Sequence, residues 1–336
     1  MRNLRNQTVS HFLTAPRRFA IYGTGEVAEA TFRALAEHGL KPNAFLDADR
    51  TGEILGLAIL PPEEALGLDL VVTAGGDARD MTVQLRADGF EGPVLDLTAA
   101  HDDRAAAWFD DVRLAGAAGA IGRARNLFED DGSREVFDGL LRYRQQLDPG
   151  DLPPAPPDLG HPAVPGTDGD WALVTGAEED ECLALAEAVG PEGCVHILEP
   201  DPMRLEALRD VAATSHLGAR LSIHALACGA RCHEPGDDGS DPVPGVTVDE
   251  FVWDTTSGRL DRLEVSGCDA MAILDGASAT LSEHRPRLSV DLSISPSDLW
   301  EIPTYLKDDF PGYRLHLAHH SQGLALTRLY ASVSRS

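Results

Sequence analysis

A glycine-rich turn near the N-terminus carries the residue types that can hold a phosphate. The stretch "IYGTGEVAEA" places Gly23, Gly25 and Ala28 in G-x-G-x-x-A spacing between a predicted strand and a predicted helix. Glycines allow close backbone approach to a phosphate, and a helix N-terminus offers free N–H groups and a positive dipole. Asp47 ends the next predicted strand, where an acid that binds a ribose belongs. A tight turn that packs the helix on the strand explains the same glycines, so both interpretations stay open.

A second turn with related chemistry lies in "ALVTGAEEDECLALAEAVG". Gly176 and Ala177 follow a strand here, and four acids (178–181) follow them. Glu199 ends the next apolar strand, where its carboxylate can accept hydrogen bonds from both hydroxyls of a ribose. Each such charge-assisted bond contributes roughly 1.5–3 kcal/mol. A strand-terminal acid after the first strand–helix turn is typical of S-adenosylmethionine (SAM) sites, and a solvated acid at a strand end is the structural alternative.

The elements that must position these residues alternate between strand and helix, which predicts an α/β protein with two Rossmann-like domains. Residues 18–100 form a small Rossmann-like domain with a parallel sheet, and 101–147 a helical connector. Residues 148–169 are rich in proline and predict a surface linker, because proline fits neither a helix interior nor a central strand. Residues 170–332 form the second domain, whose last two strands, "YRLHLAHH" and "GLALTRLYAS", predict a hairpin at the sheet edge.

Several stretches of the second domain are similar to the FkbM family of SAM-dependent methyltransferases. They are "ILEPDPMRLEAL", "VTVDEFV", "DGASATLSEHRPRLSVDL" and "DLWEIPTYLKDDFPGYRLHLAHHS". The resemblance implies a seven-stranded class I methyltransferase sheet with an antiparallel last strand, SAM as cofactor and O-methylation of a sugar or another small hydroxylated metabolite. It also implies that Gly176, Ala177, Asp201 and Glu264 line the cofactor cleft beside Glu199.

Four positions depart from the family pattern. Val174 stands where the first loop usually carries an acid, and Asp180 stands where it usually carries a second glycine. Ser266 replaces a central glutamate, and Ile294 with its neighbour Ser293 replaces a Tyr-His pair that faces the substrate. A divergent enzyme and an inactive member of the family would both have this sequence.

Two clusters of histidine and cysteine have a weak resemblance to chemical sites. His316 and His320 fall on one face of a predicted strand, although solvated imidazoles on an edge strand are the favoured interpretation. His319 stands where the family strand also carries a histidine and is the candidate base on the substrate side. Cys228, Cys232 and His233 lack a standard zinc spacing, so no metal site is predicted.

The composition narrows the range of partners. The net charge is −27 and the chain has two lysines, Lys41 and Lys307. Such a surface repels nucleic acid and anionic lipid. The sequence also lacks an apolar run of membrane-spanning length and a recognisable signal peptide. Its five cysteines are an odd number, so a reduced, cytoplasmic protein is expected.

Two functions are compatible with these patterns. The first is a SAM-dependent O-methyltransferase that acts on a sugar or a natural-product hydroxyl. The second is a catalytically inactive protein with a methyltransferase fold that binds a nucleotide or a nucleotide sugar, with Gly23 and Gly25 as the second nucleotide-like site. The small-molecule acceptor, and whether the chain forms a homo-oligomer, stay open at this point.

Overall fold

The computed structural model describes residues 5–14, 17–98, 106–156, 160–176, 178–229 and 243–333. These residues form two compact units. The first unit takes its residues from 1–122, 134–155 and 321–325, and the second from 123–133, 156–320 and 326–336. Residues of the predicted helical connector therefore contribute to both units, and the chain passes from one unit to the other within the predicted proline-rich linker.

The first unit contains a six-stranded sheet of order β3-β4-β2-β1-β5-β6, in which β3 alone runs antiparallel to its neighbour. Its strands are β1 (Phe19–Tyr22), β2 (Ala44–Leu46), β3 (Gly52–Ile54), β4 (Leu57–Leu60), β5 (Leu70–Thr73) and β6 (Val94–Asp96). Its α-helices include α1 (Gln7–Thr14), α2 (Glu26–Glu37), α3 (Ala78–Ala87) and α4 (Asp111–Gly116). Two further helices, α5 (Ala118–Arg125) and α6 (Asp131–Gln146), cross the division between the units.

The second unit contains a seven-stranded sheet of order β14-β15-β13-β12-β7-β8-β9. Its strands are β7 (Trp171–Thr175), β8 (Cys194–Leu198), β9 (Leu221–His224), β12 (Arg262–Val265), β13 (Arg287–Asp291), β14 (Tyr313–His319) and β15 (Thr327–Val333). A separate pair consists of β10 (Ala227–Cys228) and β11 (Gly245–Val246). The strand β15 runs antiparallel to both of its neighbours and the other pairings are parallel. The predicted seven-stranded sheet, its antiparallel last strand and its edge hairpin are thus confirmed.

Helices follow the parallel strands of this second sheet. They are α7 (Glu179–Ala188), α8 (Pro202–Thr214), α9 (Val248–Thr255), α10 (Ala270–Asp275), α11 (Ser278–Glu283) and α12 (Asp298–Asp309). Strands that are covered on both faces read as continuous apolar runs. In β7 and β8 every residue after the first is buried, and these strands share an apolar core with α7. Rigid strands therefore fix the loops at their carboxyl ends, where ligands bind in open α/β sheets.

Candidate cofactor site

The turn after β7 depends on Gly176 for a close approach between two loops. Gly176 has φ +68°, and a Cβ at this position would overlap the carbonyl oxygen of Ser266. Gly267, in the facing loop after β12, also has positive φ, and a Cβ there would come within 3.1 Å of the Gly176 carbonyl oxygen. Only glycine adopts this backbone region without strain. Gly176 therefore has a packing role at the carboxyl edge of the sheet, whatever else it binds.

Glu199 follows β8 and is only 3% exposed. Its Oε1 accepts a hydrogen bond from the backbone N–H of Asp201 at 2.8 Å. Its Oε2 lies 3.2 Å from Nε of Arg204. The carboxylate that was predicted to bind a ribose is thus held by two groups of this chain.

Arg204 connects the two loops at this edge. Besides Glu199, its Nη2 donates to the carbonyl oxygen of Gly176 at 3.2 Å and lies 3.3 Å from Oε1 of Glu178. Asp201 caps the N-terminus of α8, where its side chain accepts hydrogen bonds from the backbone N–H groups of Met203 and Arg204. The structure therefore brings Gly176, Glu199 and Asp201 together, and Arg204 is the side chain that joins them.

Of the four acids after Gly176, Glu178 is the N-cap of α7 and the other three (179–181) occupy its first turn. Negative side chains in that position stabilise a helix through its dipole. Glu178 pairs with Arg204, and Glu181 pairs with Arg328 through both carboxylate oxygens at 2.7 Å. The acidic turn thus has a structural role, although it makes this helix N-terminus unfavourable for an anion. Ala177, the other predicted cofactor residue of the turn, lies outside the described residues.

The loop after β12 carries a partly buried thiol, that of Cys268. Cys268 donates to the carbonyl oxygen of Ser266 at 2.9 Å and lies 3.5 Å from Oγ1 of Thr175. Burial raises the pKa of this thiol, and the negative charges of Asp291, Asp269 and Glu199 raise it further. The thiol is therefore protonated at neutral pH. Its acidic surroundings favour a cationic ligand over an anionic one.

Asp298, the first residue of α12, lies near the same carboxylates. It is 6% exposed, and its Oδ2 accepts a hydrogen bond from the backbone N–H of Ser295 at 2.8 Å. Burial, supported by the charges of Asp269, Glu301 and Asp291, raises its pKa to about 6. A carboxyl group with a pKa near neutrality is suited to proton transfer.

Glu264 lies at a different place from the other predicted cofactor residues. It is inside β12, where it pairs with Arg262 and lies 3.6 Å from Nη1 of Arg328. Val174, the neighbour of Glu264 in strand register, is fully buried. The predicted cofactor role of Glu264 stays a prediction.

The three histidines near the end of β14 have separate partners. His319 is 1% exposed, and its Nδ1 lies 3.0 Å from Oγ1 of Thr327. His316 pairs with Asp130 at 2.7 Å, and Nε2 of His320 lies 2.8 Å from the hydroxyl of Tyr330. The role of His319 as a base stays a prediction, and it requires a movement that exposes this buried ring.

The two residues that replace the expected Tyr-His pair follow β13. Ser293 accepts a hydrogen bond from the backbone N–H of Thr327 at 3.0 Å, and its own N–H donates to Asp291. Ile294 is 47% exposed. An exposed apolar side chain thus follows β13 where the FkbM resemblance led us to expect a polar pair.

In the glycine turn of the first unit, Gly23 has a packing role that Gly25 does not share. Gly23 has φ +118°, and a Cβ there would overlap the carbonyl oxygen of Ala74, whereas a Cβ on Gly25 would meet nothing within 4 Å. Ala28 is buried on α2. Asp47 accepts hydrogen bonds from Thr24 Oγ1 at 2.5 Å and from the N–H groups of Asp49 and Arg50. Burial alone would raise the pKa of Asp47, but these bonds lower it overall.

Neither a metal centre nor a membrane span is present in the parts of the chain that the structure describes. No group of three or more His, Cys, Asp or Glu side chains there is placed to hold a metal ion. No helix there is long and apolar enough to cross a membrane. Cys228 is described, but Cys232 and His233 lie outside those parts.

Sequence reasoning did not identify Arg204, Asp291 or Asp298. Arg204 is the third residue of α8, in the turn that follows Glu199, so helical geometry could have placed it near that acid. Asp291 is the last residue of β13 and Glu199 directly follows β8, so the criterion of an acid at a strand end would have found both. The burial of Asp298 depends on how α12 packs, and no pattern in the neighbouring sequence indicates it.

Comparison with known proteins shows the fold. No protein-family model and no curated protein matches the sequence. The methyltransferase FkbM from Methylobacillus flagellatus is similar in structure, with a TM-score of 0.72 and 19% identity over 98% of this chain and 94% of that one. Aeropyrum pernix fibrillarin, solved with bound S-adenosyl-L-methionine, aligns with a TM-score of 0.35 and 15% identity over 51% of this chain and 70% of that one. The chain thus has an FkbM-like methyltransferase fold.

Proposed function

We propose that this protein is a SAM-dependent methyltransferase that transfers a methyl group to a hydroxyl of a sugar or a natural product. The observation that supports it best is the position of Glu199. This acid follows the second strand of a methyltransferase sheet and lies beside the Gly176 turn, to which Arg204 links it. The structural similarity to the FkbM methyltransferase extends over nearly the whole chain and adds to this support.

The residues present fit SAM after one rearrangement. Both oxygens of Glu199 have partners, and the partner of Oε2 is a side chain, that of Arg204, whose exposed fraction is 39%. Rotation of Arg204 toward solvent would free this oxygen for a ribose hydroxyl. The carboxylates of Asp269 and Asp291 near Cys268 suit the positive charge of a sulfonium.

Bound SAM supplies an electrophilic methyl group. This chain has two tasks. It holds the two reactants in line, which lowers much of the activation barrier. It also accepts the proton of the hydroxyl. His319 is the predicted base. Asp298 is a second candidate, because a carboxyl group with a pKa of about 6 is mostly ionised at neutral pH and can still take up a proton.

A second function is favoured by the same Arg204–Glu199 pair. If Arg204 stays in place, the ribose acid is neutralised and the protein is an inactive methyltransferase fold that binds a nucleotide or a nucleotide sugar through the Gly23 turn. Asp47 is the acid that would bind a ribose at that turn. Its carboxylate already accepts hydrogen bonds from Thr24 and from two backbone N–H groups, which weighs against a second nucleotide site.

Transfer of tritiated methyl from SAM to a panel of hydroxylated sugars and natural products tests the first function. The proposal predicts label in at least one acceptor with the wild-type protein, and loss of that label in Glu199→Gln. Absence of SAM binding by the folded wild-type protein would favour the inactive fold. A nucleotide sugar that binds while SAM does not would overturn the proposal.

A further inference from the structure

The second unit contains a ligand-sized cavity on one face of its sheet. Its volume is about 660 Å³, within the usual range of small-molecule sites. The walls come from α7, from the strands β7, β12 and β15, and from the segment 160–166 that precedes β7. Gly176, Glu199, Asp201 and Arg204 are not among the described residues that line it. Glu264, whose cofactor role stays a prediction, does line it, so the cavity lies apart from the loops that carry Gly176 and Glu199 but not from every predicted cofactor residue.

The segment that covers the cavity is anchored to the sheet. Val164 is 1% exposed, and its carbonyl oxygen accepts a hydrogen bond from Nη1 of Arg262 at 3.1 Å. Nη1 of Arg287 donates to the carbonyl oxygen of Pro165 at 2.5 Å and to Oγ1 of Thr167 at 2.6 Å. Proline also limits the conformational freedom of this segment. The cavity is thus preformed, which reduces the entropic cost of binding.

The chemistry of the walls selects against a charged ligand. The apolar part of the lining includes Val164, Pro165, Val174 and Leu185. The charged part is an internally balanced network in which Arg262 pairs with Glu264 and Arg328 with Glu181. Asp180 adds a further negative charge to the lining. Asp180 is exposed, so solvent screens its charge. The other charged groups of the lining are already paired with one another, so they offer an ion no unpaired counter-charge.

His161 provides a hydrogen-bond donor in the lining. Its Nδ1 accepts from the backbone N–H of Ala163 at 3.1 Å, which leaves Nε2 to carry the proton. The ring stacks on Tyr330 with centroids 4.9 Å apart, so its orientation is fixed. Burial lowers the pKa of His161, and the nearby His316 lowers it further, so the ring is neutral at pH 7. Its Nε2–H matches an acceptor oxygen such as a hydroxyl or a carbonyl.

We propose that this cavity is a second binding site, for a neutral and mostly apolar small molecule that carries a hydroxyl or carbonyl oxygen. The site does not rest on methyl transfer. It is adjacent to the cofactor loop, because α7 begins directly after that loop and Nη2 of Arg328 donates to Oγ of Ser266 at 3.2 Å.

The test uses the neutral fluorophore 1-N-phenylnaphthylamine, whose emission increases in apolar cavities, with the full-length protein and no SAM. Saturable binding is expected in the wild type. Ala184→Trp, at an exposed position of α7 that lines the cavity, should weaken it by about tenfold or more, because the indole fills the space. Ala213→Trp, at an exposed position of α8 outside the lining, is the matched control and should bind as the wild type does.

The ligand class is tested by displacement of the bound fluorophore. The proposal predicts that 1-decanol displaces it at lower concentration than decanoate or decylamine. If Ala184→Trp does not fold, as judged by circular dichroism, Ala188→Trp fills the same cavity and replaces it. No saturable binding by the wild type, or equal binding by the cavity-filling variant, would overturn the site. Preferential displacement by decanoate would overturn the proposed neutral class.

Discussion

Nε of Arg204 lies 3.2 Å from Oε2 of Glu199, and the same guanidinium group donates to the carbonyl oxygen of Gly176. This pair connects the two strand-end loops on which a nucleotide would rest. It also occupies the oxygen that a ribose hydroxyl would use. Under the proposed function, SAM and Arg204 would therefore compete for the carboxylate of Glu199.

Arg204→Gln tests this competition. The variant removes a cation from Glu199 and leaves a carboxylate oxygen free for a ribose. We expect the dissociation constant for SAM to fall by about tenfold, the value of one hydrogen bond of ordinary strength. Titration calorimetry measures it, with Arg209→Gln, an exposed position on the same helix, as the matched control. Weaker binding by Arg204→Gln would mean that the guanidinium group itself holds the ligand.

The first unit depends on a buried pair of hydrogen-bonded groups. The hydroxyl of Tyr143 donates to Oδ2 of Asp96 at 2.5 Å, and burial raises the pKa of Asp96. Tyr143→Phe leaves this buried carboxyl group without one of its donors and should lower the free energy of unfolding by about 1–3 kcal/mol. Urea denaturation measures the change. Tyr22→Phe, at another buried tyrosine of the unit, should lower the free energy of unfolding by less. An equal decrease in both variants would argue against a stabilising Tyr143–Asp96 hydrogen bond.

His196 makes stability depend on pH. Burial and the nearby His224 lower its pKa to about 4, below the ordinary value of 6.5. The unfolded chain therefore binds a proton first as the pH falls, and stability should decline between pH 6.5 and pH 4 by at most about 3 kcal/mol from this group.

The difference between the wild type and His196→Gln isolates this effect. The variant should show a weaker decline in the free energy of unfolding over that pH range. His216→Gln, at an exposed position, should keep the pH dependence of the wild type. Parallel curves for the wild type and His196→Gln would refute the assignment.

Asp298 should act in the opposite direction. Its pKa of about 6 in the folded protein is above the ordinary value of 3.8, so its ionisation disfavours the folded state. Stability from this group is full below pH 3.8 and is lost as the pH rises to 6. Asp298→Asn keeps an acceptor for the N–H of Ser295 and removes that charge. At pH 7.5 it should raise the free energy of unfolding by roughly 1–3 kcal/mol, and a destabilised variant would contradict the prediction.

The sequence predicted those parts of the molecule that depend on local patterns. Apolar strands such as 194–198 and the glycine turn at Gly176 are readable because neighbouring residues determine them. The FkbM-like sheet followed from several separate stretches together. Contacts between distant residues were not readable, since the pairing of Arg328 with Glu181 depends on how β15 and α7 pack. The cavity arises in the same way, from a proline segment that folds back over the sheet.

The most direct measurement of the central claim is calorimetric titration of the wild type, Glu199→Gln and Glu206→Gln with SAM and with S-adenosylhomocysteine. Glu206 is an exposed acid on α8 and is the matched control. The proposal predicts saturable binding by the wild type and Glu206→Gln, with a loss of about tenfold or more in Glu199→Gln. Absence of heat for folded wild-type protein, or equal affinity in all three proteins, would contradict the assignment of Glu199 as the ribose-binding acid.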